Sequence, residues 1–262
     1  MSLRKYMQDK RQKIGIVLPT YNEAENIGHL LENIFKQNLD AAVLVVDDSP
    51  NDQTSTAAQQ VISRLALSNP NVDYQIIKRA GGTGRASAVR AGFKLLAQRE
   101  FDYVIEMDTD GSHPPEQLPE LINTAIKESA DIVICSRDLP GSKIIGWPIE
   151  RKILHFLANF SCRVLLKLGI RDYMNAYRIY SQRAVKVTLE EAGKISTGFW
   201  AFGESLVQIK ARQGKVKEIP TVFTNRVHGE SKVEAKVIWG CLKELGKVYR
   251  LLCQLRSKKL SF

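Results

Sequence analysis

A chain of 262 residues that is 44% hydrophobic and 25% charged has the composition of a globular protein with a sizeable core, which excludes a disordered chain. Its formal net charge of +10 favours acidic partners (nucleic acid, phosphorylated small molecules or an anionic membrane face) without choosing among them. Four scattered cysteines, Cys135, Cys162, Cys241 and Cys253, form no C-x-x-C pair, which argues against a zinc site or a disulfide framework and for a reducing, cytosolic compartment. The polar, basic stretch 1–13 does not read as a signal peptide, and no run approaches the roughly 18 apolar residues of a spanning helix.

From the start to about residue 136, short apolar runs alternate with helical patterns. Ile14–Leu18, Val43–Asp47, Tyr74–Lys78, Tyr103–Met107 and Asp131–Cys135 read as strands. Between them, Glu23–Phe35, Gln53–Leu67, Thr83–Gln98 and Glu116–Glu128 read as helices. This order predicts a mostly parallel sheet covered on both faces. Asn22 is expected to cap the first helix, with Glu25 completing a capping box. Beyond residue 137 the pattern predicts an apolar-basic helix at Pro148–Leu168, a helix at Phe202–Arg212, a strand at Val216–Phe223 and a last helix at Lys232–Leu255. This half reads as an extension of the same domain, so residues 1–262 are expected to form one unit. Residues 14–136 form its first half and 137–262 its second.

Ligands of such sheets sit at the carboxyl ends of the strands, and acidic groups gather there: Asp47, Asp48 and Asp52 after the second strand, Asp108 and Asp110 after the fourth. In an extended segment residues i and i+2 point the same way, so Asp108 and Asp110 can face one ion. Hard oxygen donors suit Mg²⁺ or Mn²⁺ on a diphosphate. Gly81-Gly82-Thr83-Gly84-Arg85 matches neither G-x-G-x-x-G nor the P-loop and reads as a turn before a helix. His113 reads as a residue orienting its turn in preference to a general base. On Trp147–Leu168, Ile153, Phe156, Leu157, Phe160 and Val164 share one face, with Arg151, Lys152, Arg163 and Lys167 beside them, as in helices that lie in a bilayer interface. The last helix carries a similar stripe, which packing on the sheet explains equally well.

The run Asp108-Thr109-Asp110-Gly111-Ser112-His113-Pro114-Pro115 resembles the D-A-D-x-S-H-x-P signature of the dolichol-phosphate-mannose synthases, family 2 glycosyltransferases of GT-A (Rossmann-like) fold. Pro19-Thr20-Tyr21-Asn22-Glu23, the acidic loop at 47–52, Gly146-Trp147 with Arg151, and Arg226 to Lys232 resemble further family segments in the same order. The likeness spans about residues 14–250. It implies an inverting, metal-dependent transfer of a sugar, mannose from GDP-mannose first, onto a polyprenyl or dolichyl phosphate. By resemblance Pro19, Tyr21, Glu23, Val46 and Asp48 line the nucleoside pocket. Asp108, Thr109, Asp110 and Ser112 sit at the metal (Mg²⁺ or Mn²⁺) and diphosphate. Arg137, Arg226 and Lys232 reach phosphate, and Arg151 meets the lipid phosphate. The implied location is peripheral, on the cytoplasmic face of a membrane, with a separate membrane-anchoring subunit as a partner.

The chain departs from the family at Asp172-Tyr173-Met174-Asn175-Ala176-Tyr177-Arg178, where D-x-(S/T)-G-(S/x)-F-R is usual. These residues do not decide guanine against uracil, so a UDP-glucose-type donor or a non-prenyl acceptor stays open. A basic nucleic-acid or membrane-binding module is the other class of reading, and no nucleic-acid motif supports it.

Overall fold

The computed structural model describes residues 12–81, 84–193, 200–225 and 235–260. Strands β1 (Ile14–Thr20), β2 (Ala41–Asp47), β3 (Tyr74–Lys78), β4 (Tyr103–Glu106) and β5 (Ile132–Ser136) alternate with helices α1 (Ala24–Lys36), α2 (Gln53–Ser68), α3 (Arg85–Gln98) and α4 (Leu118–Glu128). There follow β6 (Lys143–Ile145), α5 (Ile149–Leu166), β7 (Arg178–Ser181), α6 (Gln182–Glu191), α7 (Trp200–Ala211), β8 (Val216–Pro220), β9 (Val222–Thr224) and α8 (Ala235–Leu260).

Seven strands form one sheet in the order β3-β2-β1-β4-β7-β5-β8, and β6 pairs with β9 in a small parallel ribbon. All neighbours in the large sheet are parallel except β7, which runs antiparallel to both β4 and β5. The expected mostly parallel α/β sheet is therefore present, with strands from the second half of the chain built into it. Because side chains alternate across a strand, β2 feeds both faces. Val43 and Val45 join Ile16, Leu18 and Ile105 under α1, α2 and α4. Leu44 and Val46 join Val17 and Val104 under α3, α6, α7 and α8. Burial on both faces explains why these strands read as unbroken apolar runs. On the second face α3 lies close to β1, where a Cβ on Gly92 would meet Val17 Cγ1 at 2.5 Å.

Three expectations change. Asn22 does not cap α1: it adopts φ 57°, the cap position falls on Glu23, and the Asn22 N–H is donated to Ser49 Oγ at 2.8 Å. A tie to the neighbouring strand's loop outweighs the local capping pattern. The expected strand 216–223 is two strands, because the chain leaves β5 after Pro220 and pairs next with β6. Strands β6 and β7 and helix α6 were not expected at all. The stripe on the last helix is packed: Leu245, Val248, Leu251 and Leu252 are buried in the second-face core.

Candidate active site

The loops after β1, β2 and β4 meet at the carboxyl edge of the sheet. Pro19 pairs in register with Val46, both buried, and the Thr109 hydroxyl is donated to the Pro19 carbonyl at 3.4 Å. Three of the nucleoside and diphosphate candidates thus meet through the backbone. Tyr21 stands out from this edge, 61% exposed. Glu23 accepts from Asn26 Nδ2 at 2.7 Å. Asp48 is held in a two-pronged pair by Arg79, Nε to Oδ1 at 2.7 Å and Nη2 to Oδ2 at 2.6 Å. Asp47 is fully buried and accepts from Ser49 and Ser55 hydroxyls and Lys78. Burial alone would raise its pKa, but those donors hold the carboxyl below its ordinary value.

Asp108 and Asp110 follow β4. Asp110, 5% exposed, accepts from both the N–H (3.1 Å) and the hydroxyl (2.6 Å) of Ser112, so the third metal candidate is bonded to the second. The Asp108 side chain is about a quarter exposed. Its N–H is donated to His113 Nδ1 at 3.0 Å, and His113 Nε2 lies 3.1 Å from Asn175 Oδ1. That pattern makes His113 a neutral imidazole carrying its proton on Nε2. Burial lowers its pKa further, and its ring stacks on Tyr177. His113 is a buried brace for the turn, as its reading from sequence has it. Asn175, at the departure from the family pattern, supplies its acceptor. Two residues that the sequence did not mark as part of the site complete the cluster: Arg85 joins Asp108 and Glu106, whose side chain is 1% exposed.

The donor set of Asp108, Asp110 and Ser112 is hard oxygen at a strand end, with only the Asp108 side chain partly exposed, a donor chemistry that suits Mg²⁺ or Mn²⁺. Elsewhere among the described residues, Asp138, His155 and Asp172 bring ligand atoms within 4.8 Å of one another. That group is instead a hydrogen-bonded network. His155 Nε2 is 2.8 Å from Asp138 Oδ1, and Asp172 binds Arg137 through Nε (2.8 Å), Nη2 (2.9 Å) and the backbone N–H (3.0 Å). Arg137 also lies 5.5 Å from the Trp147 ring and 5.2 Å from that of Phe223. Arg151 stacks on Trp147 at 4.1 Å and donates to Asn225 Oδ1. Arg226 and Lys232 lie outside the described residues. A cavity of about 730 Å³ opens at the opposite edge of the sheet, lined by residues such as Ile14, Ala41 and Tyr74, remote from all these groups.

The family model for Glycosyl transferase family 2 matches residues 15–189. The chain belongs to this family. It is 34% identical over 227 residues to the undecaprenyl-phosphate mannosyltransferase of Micrococcus luteus (86% of this chain, 89% of that one). It is 34% identical over 228 residues to the polyprenol monophosphomannose synthase of Mycolicibacterium smegmatis (87% and 83%). Identity is 35% over 244 residues to the dolichol-phosphate mannosyltransferase of Pyrococcus furiosus, of whose length this chain spans 64%. In fold it is similar to glucosyl-3-phosphoglycerate synthase of Mycobacterium tuberculosis, crystallised with Mn²⁺, UDP and phosphoglyceric acid. The TM-score is 0.60 at 18% identity, over 93% of this chain and 77% of the other, a likeness of fold alone. The expected GT-A architecture is thereby borne out, and the protein is a family 2 glycosyltransferase.

Proposed function

We propose that this enzyme transfers mannose from GDP-mannose to a polyprenyl phosphate at a membrane surface, with inversion at the anomeric carbon. The observation that carries this reading is the two-sided character of α5. Its inward side joins the polar network that holds two arginines: Arg151 donates to Asn225, His155 Nε2 lies beside Asp138, and Asn159 donates to Asp172, which holds Arg137. Its outward side exposes Ile149, Ile153, Phe156, Leu157, Phe160 and Val164, each about half exposed or more. An acceptor with an anionic head and an apolar chain fits such a helix, head inward and chain outward. The relatives named above act on lipid phosphates, which supports the same acceptor. No described helix is long and apolar enough to cross a membrane. The contact proposed here is peripheral, through α5, at the cytoplasmic face, with or without a membrane subunit.

In this reading Pro19, Tyr21, Glu23, Val46 and Asp48 hold the nucleoside and Thr109 lies against the diphosphate. Arg137 and Arg151 fix phosphate through planar guanidinium groups that Asp172 and Trp147 orient. Arg226 and Lys232 add charge by the family resemblance. A divalent ion on Asp108, Asp110 and Ser112, when bound, supplies charge neutralisation of the departing diphosphate. A lipid monophosphate, with a second pKa of about 6, is already anionic near neutral pH and needs no general base. The burial and bonding of His113 agree with that. Rate then comes from positioning and electrostatics. The shared seven-stranded sheet supports reading the two halves as one unit.

The donor is tested by ligand-dependent melting. GDP with Mn²⁺ raises the melting temperature by several degrees, and UDP at the same concentration raises it less. A larger shift with UDP would replace GDP-mannose by the UDP-sugar alternative. The acceptor face is tested with Phe156→Asp/Phe160→Asp. Removing two half-exposed rings that would otherwise enter the bilayer cuts partition onto anionic phospholipid vesicles at least tenfold, since each buried ring contributes on the order of 2 kcal/mol. Undiminished vesicle binding would move the contact off α5.

A further inference from the structure

The D-x-D carries a built-in cation. Arg85 is the first residue of α3, entered from Gly84 at φ 97°, a conformation that favours glycine. Its Nε donates to Asp108 Oδ1 at 2.7 Å and its Nη1 to Glu106 Oε1 at 2.5 Å, while Nη2 lies 2.5 Å from Asp108 Oδ1 as an ion-pair contact without hydrogen-bond geometry. Glu106 is buried and its other oxygen lies 3.3 Å from the Tyr180 hydroxyl. The guanidinium is therefore fixed by two carboxylates, not swinging in solvent; its side chain is 24% exposed. A guanidinium does not lose its proton in proteins, so the positive charge is permanent.

A divalent ion that reaches Asp108 comes within a few ångströms of this charge, in surroundings that screen it less than water does. We propose that Arg85 is the resident counter-ion of the D-x-D and keeps the free enzyme from holding a divalent cation tightly, so that metal and nucleoside diphosphate load together. The diphosphate's negative charge offsets the repulsion between ion and guanidinium and gives Arg85 a third anion to face. Metal and nucleotide are then coupled ligands, each raising the other's affinity by the same factor. This inference rests on the reading of Asp108 and Asp110 as the metal pair.

The test is Mn²⁺ binding to the full chain, read from the electron paramagnetic resonance signal of free Mn²⁺, with and without GDP. In the wild-type protein GDP tightens Mn²⁺ binding by at least thirtyfold. In Arg85→Gln, neutral but still a donor, Mn²⁺ alone binds about tenfold tighter and the GDP effect shrinks by the same factor. In Arg85→Lys, which keeps the charge, Mn²⁺ alone stays within about threefold of wild type. Weaker or unchanged Mn²⁺ binding in a folded Arg85→Gln would overturn the proposal. So would a wild-type protein that binds Mn²⁺ equally well with and without GDP, a result that needs no variant. Asp110→Asn separates the two levels. If it binds Mn²⁺ with GDP as the wild type does, the metal pair itself is misassigned.

Discussion

Asp110→Asn lowers the rate of mannosyl transfer by on the order of 10²–10³-fold while the protein stays folded. The substitution removes one negative charge and one hard donor from the place where the diphosphate leaves. It keeps an acceptor for the Ser112 N–H and hydroxyl that the native carboxylate satisfies. Packing is nearly isosteric, so the melting temperature should move by only a few degrees and circular dichroism should not change. Loss of activity without loss of fold assigns Asp110 to the chemistry. Retained activity would return the D-x-D to a polar strand end.

Asp172→Ala has the larger effect on stability, about 3–5 kcal/mol, because it breaks a buried ion pair on one side only. Asp172 is fully buried and accepts from Arg137, Met174 N–H and Asn175 N–H. Removing it leaves the Arg137 charge in a poorly hydrated place and releases the arginine from its fixed orientation. Chemical denaturation should show a reduced midpoint. In any folded fraction, KM for the acceptor rises more than kcat falls. The pH dependence has a definite sign. Burial would raise the carboxyl's pKa, but Arg137 and His155 hold it far below its ordinary value of 3.8. A depressed folded pKa contributes stability above the unfolded value and loses it on acidification. Between about pH 5 and pH 2 the wild-type protein therefore loses stability more steeply than Asp172→Ala. Parallel acid profiles would show that the pair does little in the folded state.

The parts of the fold legible in sequence were those whose signals are local. Strands β1, β2, β4 and β5 are buried on both faces, and their apolar runs stand out against the amphipathic helices between them; β3, at the sheet edge, is only partly buried. Strand β7 was hidden because its four residues begin with Arg178, a charged side chain that is completely buried. That arginine is satisfied by the carbonyls of Asn175 and Tyr173, a loop contact that no periodicity reveals. Its place between β4 and β5, antiparallel to both, is equally non-local. Strand β6 has three residues, two of them exposed, and exists only because β9 comes back beside it.

The site divides the same way. Asp108, Thr109, Asp110 and Ser112 could be found because they are contiguous and carry a spacing with chemical meaning. Arg85 and Glu106 could not, since their pairing joins positions 21 residues apart. The only hint was an arginine directly after a glycine turn at a helix start. The network from Asp138 through His155 and Asn159 to Asp172 likewise depends on α5 packing against the loop before β7. Exposure of the apolar face of α5 was anticipated from its spacing, and the structure shows which side chains form it.

The central claim is tested most directly by label transfer from radioactive GDP-mannose to polyprenyl phosphate in phospholipid vesicles, with Mn²⁺ or with chelator. The proposed function predicts organic-extractable, acid-labile label that appears with the metal and vanishes with chelator. Absence of such label from folded protein supplied with Mn²⁺, with label instead passing from UDP-glucose or to a water-soluble acceptor, would contradict it.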